Sequence, residues 1–424
     1  MLRKAIRSWA WRWSAATLAV LLVSGIALGA TTITHLTYQH HGDQYHAYLE
    51  QRAREFERLH PGVTVELIIG VHDKFDVMVA GGTPPDVFDL PDYGHLALEG
   101  MFVDVRPLLE RDGMLSLYNP AILELMTAPD GGIYAMPFEL GSTPAFYNRD
   151  LFKEAGLADP EQLGEGWTWD AVLEAGKRLT VDRNGDGVPE QFGVDRPWGA
   201  LWRQAVHQAG GAFYDDRMRP TRSLWNSPEA VEGISFVAEI YRSGITPHHH
   251  VPDQTQFYFW TGRTAINLGD GPGIVGAYLA DATFDWDFYL QPKGPAYRSA
   301  AVGAGGPHIL SSTQNLPLVW EWVKFYAASV EGVTQFVQMT GRLPALVAVQ
   351  PVYPDVAGIG DKAFHYIFEQ TVQPNPYSYT LPLQLNPRRI NLDPVWRGQQ
   401  SPQEFLHNLH NQMTAIIAEL YGSN

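Results

Sequence analysis

Cysteine is absent from all 424 residues. The fold is therefore not stapled by disulfides, and there is no thiol to carry a lipid anchor. Positive charge is scarce as well, with 30 Lys and Arg against 46 Asp and Glu and a formal charge of −16. Four of those basic residues, Arg3, Lys4, Arg7 and Arg12, lie in the first thirty positions beside no acid, so the remainder is more acidic still. Such a surface repels nucleic acid and anionic headgroups and gives no long-range steering to an anionic ligand. A neutral or cationic partner is favoured. Beyond residue 30 no apolar run is long enough to span a bilayer. The Gly-rich phosphate loop, the metalloprotease histidine pair and the serine-hydrolase elbow are all missing, so these signatures offer no catalytic reading. No fixed-period repeat and no low-complexity segment occurs.

What is present begins with an export segment. The basic n-region runs into an apolar or small stretch over residues 14–30, centred on 18–23, with Ala27 and Gly29 before Ala30. That is the pattern of a signal peptide, or of an uncleaved anchor of nearly spanning length. Either way the body lies outside the cytoplasm. Its composition, 45% hydrophobic and 18% charged, describes a folded globular protein, and its length suits two lobes of ordinary size. Thirteen Trp, 19 Tyr and 19 Phe exceed what a core alone needs, and flat apolar faces also suit a ligand cleft.

Periodicity predicts strands at 33–38, 63–69 and 87–88, alternating with helices at 44–59 and 74–80, the rhythm of a parallel α/β sheet. A similar rhythm restarts after Pro137, with a strand at 145–147 and helices at 150–155 and 169–179, the latter capped by Thr168. Further helices are expected at 227–242, entered through Ser227-Pro228, in a pair at 316–329 and 331–339, and at 403–421 behind Ser401-Pro402.

Several segments resemble the sugar-type extracellular solute-binding proteins of bacterial ABC importers, the family that includes maltose-binding protein. They are the helix exit Phe56 to Val65 with Pro61-Gly62, and Gly82-Thr83-Pro84-Pro85-Asp86-Val87 followed by Gly100 to Val105. Most telling is Tyr134-Ala135-Met136-Pro137 with Phe146-Tyr147-Asn148-Arg149-Asp150-Leu151-Phe152 and Gly156. Trp167-Thr168-Trp169-Asp170, the stretch 259–271, the run from Trp320 to Phe325 and Gly341-Arg342-Leu343-Pro344-Ala345 complete the series. Their order holds from about residue 33 to 350. The resemblance implies an α/β, two-lobed periplasmic-binding-protein fold joined by three crossings. It assigns 31–138 plus 265–311 to the first lobe and 139–264 plus 312–424 to the second. It further implies a monomer that takes a carbohydrate or polyol and delivers it to ABC permease subunits, with no cofactor.

Sugar recognition pairs planar polar groups with vicinal hydroxyls and lays rings on the apolar sugar face. By that chemistry and by position in the resemblance, the expected ligand residues are Asp43, Asp92, Tyr93, Glu139, Trp198, Trp202, Asp270, Gly271, Gly306, His308 and Arg342. Asp43 and Asp92 also read as turn or capping residues, and the tryptophans as core. Asp182, Asn184, Asp186 and Glu190 are spaced like the first half of a calcium loop, but the glutamate comes too early and no flanking helix pair is evident. No metal site is therefore assigned. The run His248-His249-His250 reads as a solvated loop, with a metal-capturing protein as the rival. A secreted glycoside hydrolase using Asp89, Asp92 or Glu139 as paired acids is the rival from another class.

Overall fold

The computed structural model describes residues 31–89, 94–197, 199–248, 251, 254, 256–271, 273–279, 281–300, 302–353 and 381–422. Residues 1–30, Asp92, Tyr93, Trp198, His249 and His250 lie outside the described residues. Strands in chain order are β1 (Thr31–Tyr38), β2 (Val63–Gly70), β3 (Val87–Phe88), β4 (Glu139–Ser142), β5 (Ala145–Asn148), β6 (Phe192–Val194), β7 (Thr264–Asn267), β8 (Trp286–Tyr289), β9 (Val302–Gly305), β10 (His308–Ile309) and β11 (Leu343–Pro344). They form three sheets.

The first sheet has the order β10-β3-β1-β2, with β1 parallel to both neighbours and β10 antiparallel at the edge. Helix Asp43–Leu59 lies against it and turns Tyr45, Tyr48, Leu49, Ala53 and Phe56 inward, as the helical spacing predicts. The helices Leu316–Ala327 and Val330–Thr340 pack on that same helix. Tyr48 Oη donates to the Tyr326 carbonyl at 2.6 Å, and the Arg52 guanidinium sits 4.0 Å over the Phe325 ring. Trp322, Tyr326 and Phe336 share one core with Ile33 and Phe56. This pair therefore belongs to the first lobe, which corrects the expectation that everything after residue 312 is second-lobe.

The second sheet has the order β6-β7-β5-β8, with β6 parallel to β7 and β5 antiparallel to both neighbours. Helices Trp169–Leu179, Pro228–Arg242 and Pro402–Tyr421 surround it, each entered through a hydroxyl that accepts a backbone N–H three residues on: Thr168, Ser227 and Ser401. A second correction follows from the strand pairing. β7 and β8 lie in this sheet, so the chain does not return to the first lobe at residue 265 but only with β9 and β10. Pairing between segments more than a hundred residues apart leaves no trace in local periodicity.

The third sheet, β11-β4-β9, is short and antiparallel, and it joins the other two. β4 leads directly into β5 of the second lobe, and β9 leads back to β10 of the first. By Leu381 the chain is again in the second core. Among the described residues no helix is long and apolar enough to cross a membrane.

In the second lobe one close glycine contact joins strand to helix. A Cβ on Gly193 of β6 would lie 2.1 Å from the carbonyl oxygen of Gly176 in helix Trp169–Leu179, whereas a Cβ on Gly303 of β9 meets nothing within 4 Å. Gly193→Ala should therefore lower the unfolding free energy by about 2–3 kcal/mol as strand and helix are pushed apart. Gly303→Ala should change it by less than about 0.5 kcal/mol. Urea unfolding of both variants, with the slope compared as well as the midpoint, checks this.

Candidate functional site

Loops at the carboxyl ends of the strands are where open α/β sheets gather binding groups. β1 ends at Tyr38, and a single 3-10 turn, Gln39–His41, leads to Gly42. Gly42 has φ of +92°, a conformation that favours glycine, and it swings the chain straight into helix Asp43–Leu59. His41 and Tyr45 are thereby placed beside the end of β3, where Asp89 follows Phe88.

Asp89 is almost fully enclosed. Its carboxylate accepts from Thr37 Oγ1 at 2.9 Å, the Tyr38 N–H at 2.9 Å and Tyr45 Oη at 3.1 Å. His35 Nε2 stands 3.3 Å from one carboxylate oxygen, and His41 Nε2 stands 3.6 Å from the other. Burial alone would push this carboxyl up, but the imidazoles of His41 and His35 outweigh it and hold Asp89 well below the usual carboxylate range. The Tyr45 hydroxyl is driven the other way by burial and by the Asp89 charge, so it remains a donor.

Arg342 reaches this corner from just after helix Val330–Thr340. Its guanidinium donates to Glu139 Oε2 at 2.8 Å and to the His41 carbonyl at 3.0 Å, approaches His41 Nδ1 at 3.3 Å and lies 5.1 Å from the centre of the Tyr45 ring. Both partners of the ion pair are largely covered, with side-chain exposures of 21% and 26%. Burial works against the Arg342 charge, and the facing Glu139 carboxylate more than restores it. The loop after β7 comes up to the same place. A Cβ on Gly273 would be 3.8 Å from the Arg342 side chain, and one on Gly271 only 2.9 Å from the Ser142 carbonyl of β4. Gly271 is thus a close-approach glycine between a second-lobe loop and the crossing strand.

Second-lobe polar groups converge behind that loop. Asn267 Nδ2 donates to Asp270 at 2.7 Å and to Asp195 at 3.2 Å, and Asp195 also accepts the N–H groups of Arg196 at 2.6 Å and Phe259 at 2.7 Å. Burial and the neighbouring Asp270 push the Asp195 carboxyl up to about 7, against the pull of those N–H groups. Burial raises Asp270 too, with the Asn267 amide opposing. Nearby, four flat groups stack in series. Arg196 lies 4.4 Å over Tyr258, Tyr258 and Trp260 are 4.5 Å apart, and Trp260 and Tyr278 are 4.4 Å apart. The series ends in Tyr278, which is 52% exposed.

Of the expected ligand residues, the structure sets Glu139 against Arg342 and brings Gly271 up to the strand that Glu139 begins, while Asp270 faces Asn267 and Asp195 and Asp43 is exposed at the start of the helix that carries Tyr45. It gives three others structural work. Trp202 is buried against Phe213 and Trp225 in the second core. Gly306 is where the backbone passes Met136, and a Cβ there would sit 2.0 Å from the Met136 carbonyl. His308 is buried inside the first sheet. The calcium-like turn closes on itself: Asp182 accepts the N–H groups of Gly185 and Gly187, Asp186 accepts that of Val188, and Glu190 accepts that of Arg183. No cluster of three acidic or histidine side chains suited to a metal occurs among the described residues. Sequence reasoning missed His35, Tyr45, Asp195, Asn267, Tyr258 and Tyr278. Only His35 left a signal, a histidine set among the apolar positions of β1. The open groove lined by Asn226, Glu232, Glu404 and His407 lies wholly on the second lobe and gathers none of the expected residues.

Residues 40–331 match the family model described as bacterial extracellular solute-binding protein. The chain belongs to that family. An sn-glycerol-3-phosphate-binding periplasmic protein, UgpB, of Brucella abortus is 33% identical over 210 residues, a match that spans 46% of this chain and 45% of the relative. The chain thus spans about half the length of the first curated relatives it matches. A galactooligosaccharide-binding protein of Bacillus subtilis is 23% identical over 77% of this chain and 75% of its own length. In structure, an ABC substrate-binding protein of Listeria monocytogenes in complex with cycloalternan superposes with a TM-score of 0.75 at 22% identity, covering 93% of this chain and all of that one. The two-lobed fold of this solute-binding protein is therefore shared with it.

His308 of the solute-binding protein carries a pH signature of its own. Its ring stacks on Phe102 at 4.3 Å and its Nδ1 donates to the Tyr134 carbonyl at 2.7 Å. Burial lowers its pKa to about 4, with Tyr134 and Asp89 pulling weakly the other way. The folded state keeps the ring neutral while the unfolded chain takes up a proton below about pH 6.5. This contribution to stability is complete above that pH and is lost as the pH falls towards 4. Between pH 7 and pH 4 the wild type should lose about 3 kcal/mol more unfolding free energy than His308→Phe, read from urea curves at each pH.

Proposed function

We propose that this protein is the substrate-binding component of an ABC importer, capturing an uncharged, carbohydrate-like solute between its lobes and delivering it to the permease. The observation that carries the reading is the corner at Arg342. A planar fork, an imidazole and a Tyr ring meet there at the carboxyl edge of the first sheet, against a loop of the second lobe and on the strand that links the two. Forks of this kind pair with vicinal hydroxyls, and rings cover the apolar sugar face.

Charge supports a neutral solute. Arg342 is already matched by Glu139, and Asp270 and Asp195 bring no positive charge, so among the described residues the Arg342 guanidinium has no charge to spare for a phosphate. The overall acid excess points the same way. Capture then proceeds by rotation about the short third sheet, whose strands are few and narrow enough to act as hinges. The body works as a monomer outside the cytoplasm, exported by its first thirty residues.

The glycoside hydrolase reading finds little support. A general acid needs a carboxyl held protonated near neutral pH and free to reach the substrate; Asp195 is pushed up to about 7, but its oxygens are taken by Arg196, Phe259 and Asn267. Asp89 is held ionised, and its oxygens are taken by Thr37, Tyr38 and Tyr45.

A thermal-shift panel of maltose, maltotriose, lactose, mannobiose, sorbitol and sn-glycerol 3-phosphate tests the proposal. A solute at a hundred times its Kd adds about 2.7 kcal/mol of stability. At least one neutral sugar should raise the melting temperature, and Arg342→Ala should weaken its binding at least about tenfold, the cost of losing one charge-assisted contact. A response to sn-glycerol 3-phosphate alone would overturn the choice of solute class. Chemical conversion of a bound sugar would overturn the binding role itself.

A further inference from the structure

His41 stands between the two charged groups of the corner. Its Nδ1 lies 3.3 Å from a guanidinium nitrogen of Arg342, and its Nε2 lies 3.1 Å from the Asp89 carbonyl and 3.6 Å from the Asp89 carboxylate. A guanidinium has donors and no acceptor. Nδ1 must therefore offer its lone pair to Arg342, which leaves the one ring proton on Nε2, aimed at Asp89. The ring is held in that orientation by Tyr45, whose centroid is 4.3 Å away, and Arg342 grips the same residue a second time through the His41 carbonyl at 3.0 Å.

We propose that His41 is the positioning residue of the solute site: its neutral, Nε2-protonated ring holds the Arg342 fork in place, and a second proton releases it. The consequence for solute binding rests on the reading of Arg342 given above. The consequence for Arg342 itself does not.

The chemistry is a competition for one ring. A proton added at Nδ1 sets N–H against N–H and places positive charge beside the guanidinium. Asp89 on one side and Glu139 behind Arg342 attract that new charge, while Arg342 repels it. His35, 3.3 Å from the far oxygen of Asp89, competes for the same carboxylate. Tyr38 lies 5.7 Å from His41 and is itself ringed by His40 and His72, with His46 Nε2 3.0 Å from its carbonyl, so three further imidazoles stand on the same side. The neutral ring thus leans on Arg342, and the charged ring leans on Asp89 alone.

The test is nitrogen NMR of the full chain labelled with carbon-13 and nitrogen-15 at histidine and arginine, with the His41 ring assigned by through-bond correlation from its own backbone. At pH 8 the His41 ring should show the Nε2–H tautomer. On acidification the Arg342 Nε–Hε resonance should move with the His41 titration in the wild type. It should stay fixed in His41→Asn, whose side-chain oxygen takes the place of Nδ1 as acceptor and does not titrate. A Nδ1–H tautomer in the wild type, or an Arg342 resonance that moves equally in the Asn variant, overturns the proposal. The wild-type tautomer decides even where the variant does not fold. In a parallel titration with maltotriose, affinity should fall at least tenfold from pH 8 to pH 5 in the wild type and stay level in His41→Asn. If maltotriose binds neither protein at either pH, that solute is wrong, while the tautomer and the Arg342 resonance still decide the role of His41. If it binds with an equal pH dependence in both, His41 is not the proton sensor.

Discussion

The ion pair between Arg342 and Glu139 is the contact on which the geometry of the corner depends. Strand register creates it. Leu343 of β11 faces Leu140 of β4, so Arg342 comes one residue before the ladder and on the diagonal to Glu139. Diagonal neighbours on an antiparallel pair are within reach of long side chains on one face. The pair is mostly covered, so neither charge is well solvated. Losing one partner leaves the other in a poorly solvated place, which is far costlier than the net worth of the bond. A sheet of three short strands therefore does two jobs. It carries the chain between lobes, and it fixes where the fork of Arg342 stands.

That fork is then oriented from both sides. Glu139 on the crossing strand and the His41 ring on the first lobe share one guanidinium nitrogen, Nη1, and the His41 carbonyl holds the other, Nη2. Gly273 allows the second-lobe loop to come against the same side chain. Three parts of the chain that are far apart in sequence thus define one position. Such convergence is what a binding site needs and what packing alone does not require, since the same volume could be filled by an apolar side chain at no desolvation cost.

Much of the fold was legible in the sequence. Helical spacing identified Tyr45, Tyr48 and Phe56 as an inward face, and Thr168, Ser227 and Ser401 marked helix starts that the structure reproduces with capping bonds. The lobe boundaries were not legible. Nothing in Ala265 or Ile266 tells that they pair with β5 and not with the first sheet, because a buried strand looks alike in either. For the site, Glu139, Asp270 and Arg342 were named from position in a resembling pattern, and the fold sets the first against the last. Trp202 and His308 were misread because an aromatic or imidazole ring serves a core as well as a cleft, and residue type alone does not say which. Asp89 was noticed only as a possible acid. Its real constraint, five polar neighbours around one carboxylate, is a property of the folded chain.

The polar chain beneath the corner raises the question of why so much desolvated charge is kept. Trp322 Nε1 points at His35 Nδ1 at 3.4 Å, His35 Nε2 at Asp89, His41 Nε2 at Asp89 from the other side, and Arg342 at His41. Trp322 faces Nδ1 of His35 and Arg342 faces Nδ1 of His41, so each neutral ring is left with its proton on Nε2, on the side of Asp89. A half-satisfied polar network costs more than an apolar core, and a satisfied one admits few alternative arrangements. An apolar replacement would pack as well but would leave Arg342 free to choose among rotamers. Burying Asp89 thus narrows the positions of a side chain that never touches it, and the stability spent in doing so is returned as a fork already set before any solute arrives.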